Sequence, residues 1–220
     1  PKYFRRRYIR RKYVNRKDRS QPPIIADLPP RLIPGGYAGI GLVTDIAVKK
    51  YHDHLPLYRQ EQILRRRYGI EISRKTMCDW MEQVAWWLRP IYEHIGLGLR
   101  GGDYLQIDET PVCYCRAEGG GSGQGYFWVY HRPGAEVLYE WHTGRGADCL
   151  DTMLDQFGGT MQTDGYAVYE SYVKKRRREI AAGAAKPDIV PAACWAHARR
   201  KFHEALAECP AQAGWVMRQI

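Results

Sequence analysis

Apolar side chains at helical spacing in the first half of the chain predict three helices. The first runs from Ile40 to about His52. The second covers 57–68 and ends at Gly69, and the third begins after Ser73, a residue suited to the N-cap. We expect Pro90 to disturb this third helix. Helix, tight turn with glycine and helix is the order of a helix-turn-helix, although an ordinary helical hairpin fits it equally well.

After Gly101 the pattern changes to short apolar runs separated by turns. Strands at about 104–107, 126–130 and 136–141 predict an antiparallel meander. The elements that follow alternate between helix and strand: a helix over 147–157, a strand over 160–163, a helix from 167 to about 179, a strand near 189–194 and a helix from about 197. This order predicts an α/β fold, a mixed sheet with helices on both faces.

The first 20 residues form a basic arm. It carries +9 of the net charge of +10, since ten basic side chains are offset by Asp18 alone. The basic residues are Lys2, Arg5, Arg6, Arg7, Arg10, Arg11, Lys12, Arg16, Lys17 and Arg19. A polyanion is the natural partner of such an arm, although a solvated tail has the same composition. Tyr3, Phe4, Tyr8 and Tyr13 interleave these charges and could stack on bases or dock on the protein.

Residues 21–36 are rich in proline and predict an extended linker before a helical region, 37–100, and an α/β region, 101–220. Further basic clusters at 174–178 and 199–201 favour nucleic acid over lipid as the partner. No run approaches the roughly eighteen apolar residues that a membrane span requires, and no secretory signal opens the chain. Because the chain opens on Pro1 rather than on methionine, we expect it to be a fragment of a longer protein.

The six cysteines are scattered, at positions 78, 113, 115, 149, 194 and 209. This distribution favours a reducing cytosol over a secreted disulfide scaffold. Cys113, Cys115, Cys194 and His197 would be the candidates for a zinc site. The one-residue gap between the first two is tighter than zinc-finger spacing, so we expect buried, inert thiols instead.

Two aspartates stand where metal chemistry is expected. Asp108 follows the first predicted strand and Asp164 follows the fourth. If these strands are parallel neighbours, both carboxylates emerge at the same edge of the sheet, where α/β folds bind ligands. Mg²⁺ suits one or two carboxylates together with phosphate oxygens, and a pair of such ions can activate an attacking oxygen. Each aspartate taken singly could instead be a turn residue.

Five blocks of sequence follow one another between about residue 9 and residue 208. They are Leu-Pro-Leu-Tyr-Arg-Gln-Glu at 55–61 with Ser-Arg-Lys-Thr at 73–76, Asp-Glu-Thr-Pro at 108–111, the aromatic strand 126–130, Thr-Asp-Gly-Tyr-Ala-Val-Tyr at 163–169, and Cys-Trp-Ala-His-Ala-Arg-Arg-Lys-Phe at 194–202. In this order and spacing they resemble transposases of the insertion-sequence 66 family.

The resemblance implies a ribonuclease-H-like catalytic domain over 101–220, preceded by a helix-turn-helix region, that cleaves DNA at transposon ends and transfers the strand to target DNA. Asp108 and Asp164 correspond to the first two catalytic acids and would hold Mg²⁺ or Mn²⁺. A third acid, a glutamate in the family, is expected beyond Ile220. Partners implied are transposon-end and target DNA, a homo-oligomer on that DNA and accessory proteins of the same element, in the bacterial cytoplasm at the nucleoid.

Twelve candidate DNA contacts follow from the charge pattern and the resemblance. They are Arg5, Arg6, Arg7, Arg10, Arg11, Lys12, Arg74, Lys75, His197, Arg199, Arg200 and Lys201. The basic residues among them would contact phosphates. His197 would contact a phosphate or orient a water, unless it is a structural histidine bonded to backbone.

The sequence departs from the family pattern at two points. Asn15 and Asp18 stand where the last cysteine pair of the family's zinc knuckle would align, so the arm is a degenerate remnant and zinc is not expected. Glu204 and Glu208 follow the His197 block too closely to supply the third acid. A truncated, catalytically inactive DNA-binding relic is therefore the alternative to an active transposase.

Overall fold

The computed structural model describes residues 2–18, 20–116 and 119–220. Arg19, one of the basic residues of the arm, lies outside the described residues. The chain divides into two compact units, Pro1–Arg89 and Pro90–Ile220. Across the described ranges, no helix combines the length and the apolar character needed to cross a membrane.

The first unit contains a short hairpin and the predicted helices. Strands β1 (Lys12–Tyr13) and β2 (Ile24–Ile25) pair in antiparallel fashion, so part of the proline-rich stretch is strand. Helix α1 (Ile40–Tyr51) and helix α2 (Leu57–Tyr68) have the predicted bounds. Helix α3 (Arg74–Arg100) begins where predicted and continues into the second unit.

The predicted break at Pro90 is wrong, since α3 runs through it. Proline removes one main-chain hydrogen bond, the one to the carbonyl four residues earlier. That carbonyl belongs to Trp86, which is exposed, so water can satisfy it.

The C-terminal end of α2 and the N-terminal end of α3 have the capping residues from which these helix bounds were predicted. Gly69 adopts the left-handed conformation at φ +62° and donates its N–H to the carbonyl of Arg65. Ser73 Oγ accepts the N–H of Thr76 at 3.1 Å, as an N-cap does. The Glu61 carboxylate accepts the N–H of Arg74 at 3.2 Å and so ties α2 to the start of α3.

The core of the first unit joins one apolar stripe from each helix. Its buried members are Ala38, Val43, Ile46, Leu57, Leu64, Ile72, Met77, Trp80 and Met81. Leu32 and Ile33 of the proline-rich stretch pack against it, as does Tyr3 of the arm. Trp87 donates its indole N–H to the carbonyl of Leu32 at 2.9 Å. Residues 21–36 are therefore packed on the helices over part of their length.

The second unit is built on a five-stranded sheet of order β5-β4-β3-β6-β7 in the described residues. The strands are β3 (Tyr104–Cys115), β4 (Ser122–His131), β5 (Val137–His142), β6 (Gly159–Thr163) and β7 (Ile189–Ala193). The first three form the predicted antiparallel meander, whereas β6 is parallel to both β3 and β7. The condition set for the two aspartates is therefore met, since the first and fourth of these strands are parallel neighbours.

Helices connect and follow the parallel strands. A 3₁₀ turn (Ala147–Leu150) leads into α4 (Asp151–Leu154), which precedes β6, and α5 (Ala167–Ala181) joins β6 to β7. After β7 come α6 (Trp195–Glu204), a 3₁₀ turn (Ala205–Ala207) and α7 (Pro210–Met217). The last of these was not predicted.

The core of the second unit lies on one face of the sheet, which corrects the expectation of helices on both faces. It contains Leu105, Ile107 and Met161 from the sheet with Leu154 of α4 and Tyr172 of α5. Right-handed crossovers from β5 to β6 and from β6 to β7 advance across the sheet in the same direction, so they place their helices on the same face. The other face exposes apolar side chains, and the exposed fractions are 39% for Phe127, 58% for Tyr139, 39% for Trp141 and 55% for Val190.

Strand β3 is longer than predicted, and this changes the setting of Asp108. Asp-Glu-Thr-Pro lies within β3 rather than after it. Beyond Gln106 the described register joins β3 to β4 but no longer to β6, so Pro111 lies where one side of the strand is unpaired. Proline is tolerated at such an edge because its missing N–H is not needed there.

The expectation of buried thiols is also wrong for most of the cysteines. Cys149 is buried and Cys194 is half-buried, whereas Cys78, Cys113, Cys115 and Cys209 are exposed, and all six are free thiols. Cys113 and Cys115 lie near the end of β3, where it extends past its neighbour β6, and this leaves them in solvent.

The basic cluster at 174–178 is largely engaged within the protein, which weakens its reading as a DNA contact. Lys174 pairs with Glu170 at 2.7 Å. Arg176, only 1% exposed, donates to the carbonyls of Leu154 at 2.6 Å and Pro187 at 3.2 Å. This guanidinium therefore joins α5 to the end of α4 and to the segment before β7.

We predict that Arg176→Met lowers the free energy of unfolding by about 2–4 kcal/mol, because the buried carbonyls of Leu154 and Pro187 lose their donor. Urea unfolding followed by circular dichroism measures the change. Arg178→Met is the matched control on the exposed side of the same helix and should stay within about 0.5 kcal/mol of wild type. Equal losses in both variants would contradict a structural role for Arg176.

Candidate acidic site at the edge of the sheet

The pairing of β3 with β6 brings together the chain segments that lead to Asp108 and Asp164. Gln106 pairs with Gln162 in the parallel ladder. Each aspartate lies two residues further along its own chain, beyond the last pair of this ladder, and Asp164 also lies beyond the end of β6. Asp164 follows the end of β6 as predicted, whereas Asp108 lies inside β3.

Alternation along β3 places the Asp108 carboxylate on the sheet face opposite the core, and Asp164, just past the end of β6, is exposed. Leu105, Ile107 and Glu109 are buried on the core face, and Asp108 between the last two is exposed. One step earlier on the same face, Gln106 Nε2 donates to Gln162 Oε1 at 2.9 Å. Side chains at matching positions of β3 and β6 thus meet directly, and each aspartate follows two residues after this glutamine pair.

Each aspartate uses one oxygen in a local main-chain contact. Asp108 Oδ1 accepts the N–H of Glu109 at 2.9 Å. Asp164 Oδ1 accepts the N–H of Tyr166 at 2.8 Å, in an Asx turn that leads into α5. The turn role considered for Asp164 is therefore real, and it leaves the carboxylate exposed at the edge of the sheet.

A buried ionic network lies on the core side of the same residues, and sequence reasoning missed it. The side chain of Glu109 is 1% exposed and accepts hydrogen bonds from Arg145 Nε at 2.7 Å and from the hydroxyl of Tyr169. Arg145 also stacks on the ring of Tyr166, 3.9 Å from its centroid. Strict alternation after Asp108 already places Glu109 in the core, and a buried glutamate requires partners.

Electrostatics place both aspartates near this network. The pKa of Tyr169 is raised well above its usual range, first by burial and then by its hydrogen bond to Glu109 and the negative charges of Glu109, Asp164 and Asp108. The charges of both aspartates therefore reach this buried hydroxyl.

His197 lies near this edge, in the first turn of α6. The N–H of Cys194 donates to the carbonyl of Thr163 at 2.9 Å, so α6 begins beside the end of β6. His197 Nδ1 is buried and has no hydrogen-bond partner among the described residues. The backbone bond expected of a structural histidine is therefore not made by this nitrogen in the described part of the chain.

The basic candidates are all exposed, in separate parts of the fold. Arg74 and Lys75 stand in the first turn of α3. Arg199, Arg200 and Lys201 lie on α6, and Lys201 pairs with Glu204 at 3.1 Å. Glu204 is thus a surface residue whose carboxylate forms an ion pair with Lys201.

The arm is anchored to the first unit by its tyrosine at position 3. Tyr3 donates to Asp45 Oδ2 at 2.7 Å and accepts from Lys49 Nζ at 3.2 Å. Its ring meets that of Tyr68 edge-on, with centroids 4.7 Å apart. The candidate residues Arg5, Arg6, Arg7, Arg10, Arg11 and Lys12 remain exposed beyond this anchor.

Helix α2 adds cations that the sequence reasoning did not single out. Arg59, Arg65, Arg66 and Arg67 are exposed, and a shallow surface is lined by Tyr58, Arg59, Gln62, Ile63 and Arg66. The one acid of this helix, Glu61, is occupied at the start of α3. The outer face of α2 is therefore strongly positive.

The donor set at the sheet edge suits a hard cation in part. Two exposed carboxylates on one face offer the oxygen ligands that Mg²⁺ accepts alongside water and phosphate. Within residues 2–18, 20–116 and 119–220, no group of three or more His, Cys, Asp or Glu side chains is arranged to hold a metal ion. A metal ion held by Asp108 and Asp164 would therefore need further ligands.

Comparisons with known proteins identify the chain's relatives. A protein-family model described as "Transposase IS66 family" matches residues 35–220. The uncharacterized protein y4qI of Sinorhizobium fredii is 36% identical over 184 residues, 80% of this chain and 33% of that protein. The uncharacterized protein y4jD of the same organism is 34% identical over 189 residues, 80% of this chain and 35% of that protein. The chain spans about a third of the length of these relatives.

We predict that Asp108→Asn raises the free energy of unfolding by about 0.5 kcal/mol at low salt without divalent ions, because it removes repulsion between carboxylates on adjacent strands. Asn keeps the oxygen that accepts the N–H of Glu109. Urea unfolding in EDTA measures the change, which should shrink at high salt. Asp103→Asn removes the same charge just before β3, away from the pair, and should lack the effect; equal gains in both variants would argue against a close pair.

Proposed function

The chain belongs to the transposase IS66 family, and from that membership we propose that residues 101–220 carry the catalytic acids of a DNA transposase. The reaction proposed is cleavage of DNA at transposon ends, followed by attack of the freed 3′-hydroxyl on target DNA. One structural observation supports this proposal most directly. The parallel pairing of β3 with β6 ends at Gln106 and Gln162, and Asp108 and Asp164 each follow two residues later, both exposed.

The topology supports a ribonuclease-H-like interpretation of this unit. An antiparallel meander, β3-β4-β5, is followed by two parallel strands added on the side of β3. One acid lies on the central strand and the other directly after its parallel neighbour, at the carboxyl edge where α/β sheets bind ligands. The proposal fits the family membership and the order of the strands.

Asp108 and Asp164 would hold Mg²⁺ or Mn²⁺, which would supply positive charge for the attacking and leaving oxygens of the phosphodiester. The protein's own groups would bind and orient the DNA. Arg199 and Arg200, exposed on α6, would contact phosphates. His197, whose Nδ1 lacks a partner among the described residues, would hydrogen-bond a phosphate oxygen or a water molecule.

The first unit would bind DNA mainly through charge. Arg5, Arg6 and Arg7 project from an arm anchored at Tyr3, and Arg74 and Lys75 occupy the first turn of α3. Cations are disfavoured at a helix N-terminus, so a phosphate partner gives these two a physical role. In this proposal a homo-oligomer holds the transposon ends, with accessory proteins of the same element, at the bacterial nucleoid.

We predict that the 220-residue chain retards a labelled transposon-end duplex in Mn²⁺ without cutting it. Binding follows from the exposed basic arm, whereas two carboxylates alone do not place two ions for in-line attack. Gel retardation and a denaturing gel measure the two outcomes. Specific nicking that disappears in Asp164→Asn would show that a third acid lies within this chain.

The metal assignment is tested in the same chain by electron paramagnetic resonance of free Mn²⁺. Asp108→Asn and Asp164→Asn should each weaken Mn²⁺ binding at least about tenfold, since each removes one of two carboxylate ligands. Asp103→Asn is the matched control and should bind as wild type does. Unchanged Mn²⁺ affinity in both of the first two variants would refute the proposed site.

We predict that Arg5→Gln/Arg6→Gln/Arg7→Gln reduces the slope of log affinity for DNA against log salt by up to about 2.7, because each phosphate contact contributes about 0.9. This variant keeps Tyr3 and so keeps the anchor of the arm. Lys174→Gln, which removes a cation paired with Glu170, should leave the slope unchanged. An unaltered slope in the triple variant would show that this part of the arm does not contact DNA.

A further inference from the structure

We propose that Glu109 and Tyr169 are positioning residues that hold Asp108 and Asp164 at matching places on the sheet edge. The inference rests on the proposed metal-binding role of these aspartates. It assigns a function to a buried network on the opposite face of the sheet, and neither Glu109 nor Tyr169 would contact metal or DNA.

The need for such an element follows from where the β3–β6 ladder ends. In the described residues the register runs over Tyr104–Gln106 paired with Thr160–Gln162 and stops there. Asp108 and Asp164 both lie beyond it. The β3–β6 ladder therefore relates the two strands only up to the site; β4 continues to pair with β3 at Asp108, and another interaction must hold the turn that carries Asp164 relative to β3.

The hydrogen bond from Tyr169 to Glu109 joins those two segments. Glu109 directly follows Asp108 on β3, and its side chain points into the core because side chains alternate along a strand. Tyr169 lies in the first turn of α5, and its hydroxyl donates to Glu109 Oε2. The ring of Tyr169 is itself fixed edge-on to Trp128, with centroids 6.0 Å apart.

A short chain of contacts carries this restraint from Tyr169 back to Asp164. The N–H of Tyr169 donates to the carbonyl of Tyr166 at 3.0 Å. The N–H of Tyr166 in turn donates to Asp164 Oδ1 at 2.8 Å. A shift of Tyr169 away from Glu109 would therefore move the turn that orients the Asp164 carboxylate.

Arg145 completes the network and balances its charge. Its guanidinium donates to Glu109 Oε1 and stacks on the ring of Tyr166. Glu109 would otherwise add a third negative charge close to the two aspartates. With both oxygens of Glu109 bonded, one to Arg145 and the other to Tyr169, the carboxylate is held in a single orientation.

The test is Tyr169→Phe, which removes the hydroxyl and keeps the ring. Tyr172→Phe is the matched control, since Tyr172 is also buried on α5 and its hydroxyl accepts from Arg176 at 3.1 Å, away from Glu109. Both variants lose one buried hydrogen bond, so both should unfold at a lower temperature than wild type. Loss of stability therefore does not separate them.

Two readouts in the folded protein do separate them. Tyr169→Phe should weaken Mn²⁺ binding about tenfold or more, the usual effect of losing a group that orients a metal ligand, whereas Tyr172→Phe should bind as wild type does. Amide hydrogen exchange, measured without metal, should be faster at Tyr166 in Tyr169→Phe and unchanged in Tyr172→Phe. Equal exchange at Tyr166 in wild type and Tyr169→Phe would overturn the inference, whatever the metal result.

The remaining outcomes distinguish the two proposals. Faster exchange together with unchanged Mn²⁺ affinity, in a chain where Asp108→Asn loses Mn²⁺, would make the network purely structural and overturn the positioning role. If Asp108→Asn binds Mn²⁺ as wild type does, the proposed metal site fails first, and the metal-positioning role fails with it. Weaker Mn²⁺ binding and faster exchange confined to Tyr169→Phe support the inference.

Discussion

The acidic site depends on one short stretch of parallel pairing, residues 104–106 of β3 against 160–162 of β6. Side chains alternate between the faces of a strand, so a slip of one residue would send one aspartate to the core face and leave the other in solvent. The glutamine pair immediately before the site shows the register directly, because Gln106 and Gln162 bond to each other across the two strands. Everything proposed for Asp108 and Asp164 requires this alignment.

Buried polar groups fix the places where elements of the fold meet. Arg176 joins α5 to the end of α4, and Gln60 joins α2 to the carbonyls of Ile46 and Leu55 at 3.2 and 3.0 Å. Glu109 joins β3 to Arg145 and to the start of α5. A polar side chain is retained in a core when its hydrogen bonds are made, and the geometry of those bonds then specifies how the elements are placed.

Contacts in the folded protein distinguish basic side chains that bind other groups of the protein from basic side chains that are exposed to a partner. The cluster 174–178 and the arm are both basic in sequence, yet Arg176 is buried and Lys174 is paired, while Arg5, Arg6, Arg7, Arg10, Arg11 and Arg16 of the arm are exposed. A polyanion would therefore meet the arm, the start of α3, the outer face of α2 and α6. The proposed DNA contacts of each unit are therefore chosen by whether a basic side chain is exposed or already bonded within the protein, rather than by the number of charges in a segment.

The sequence by itself determined the helices of the first unit, the meander and the family, because helix caps, alternation and motif spacing are local properties, whereas the parallel placement of β6 beside β3 came only from the structure. The sequence prediction was wrong where contacts between elements decide. Helix α3 continues through Pro90, and Trp86, whose carbonyl loses its donor there, is an exposed residue. Strand β3 continues past Asp108 because β4 pairs with it as far as Cys115. Alternation could place Glu109 in the core but could not name its partners, since Arg145 and Tyr169 lie 36 and 60 residues away along the chain. Only the tertiary structure brings them together, because burial of a charged carboxylate requires donors from wherever the packing supplies them.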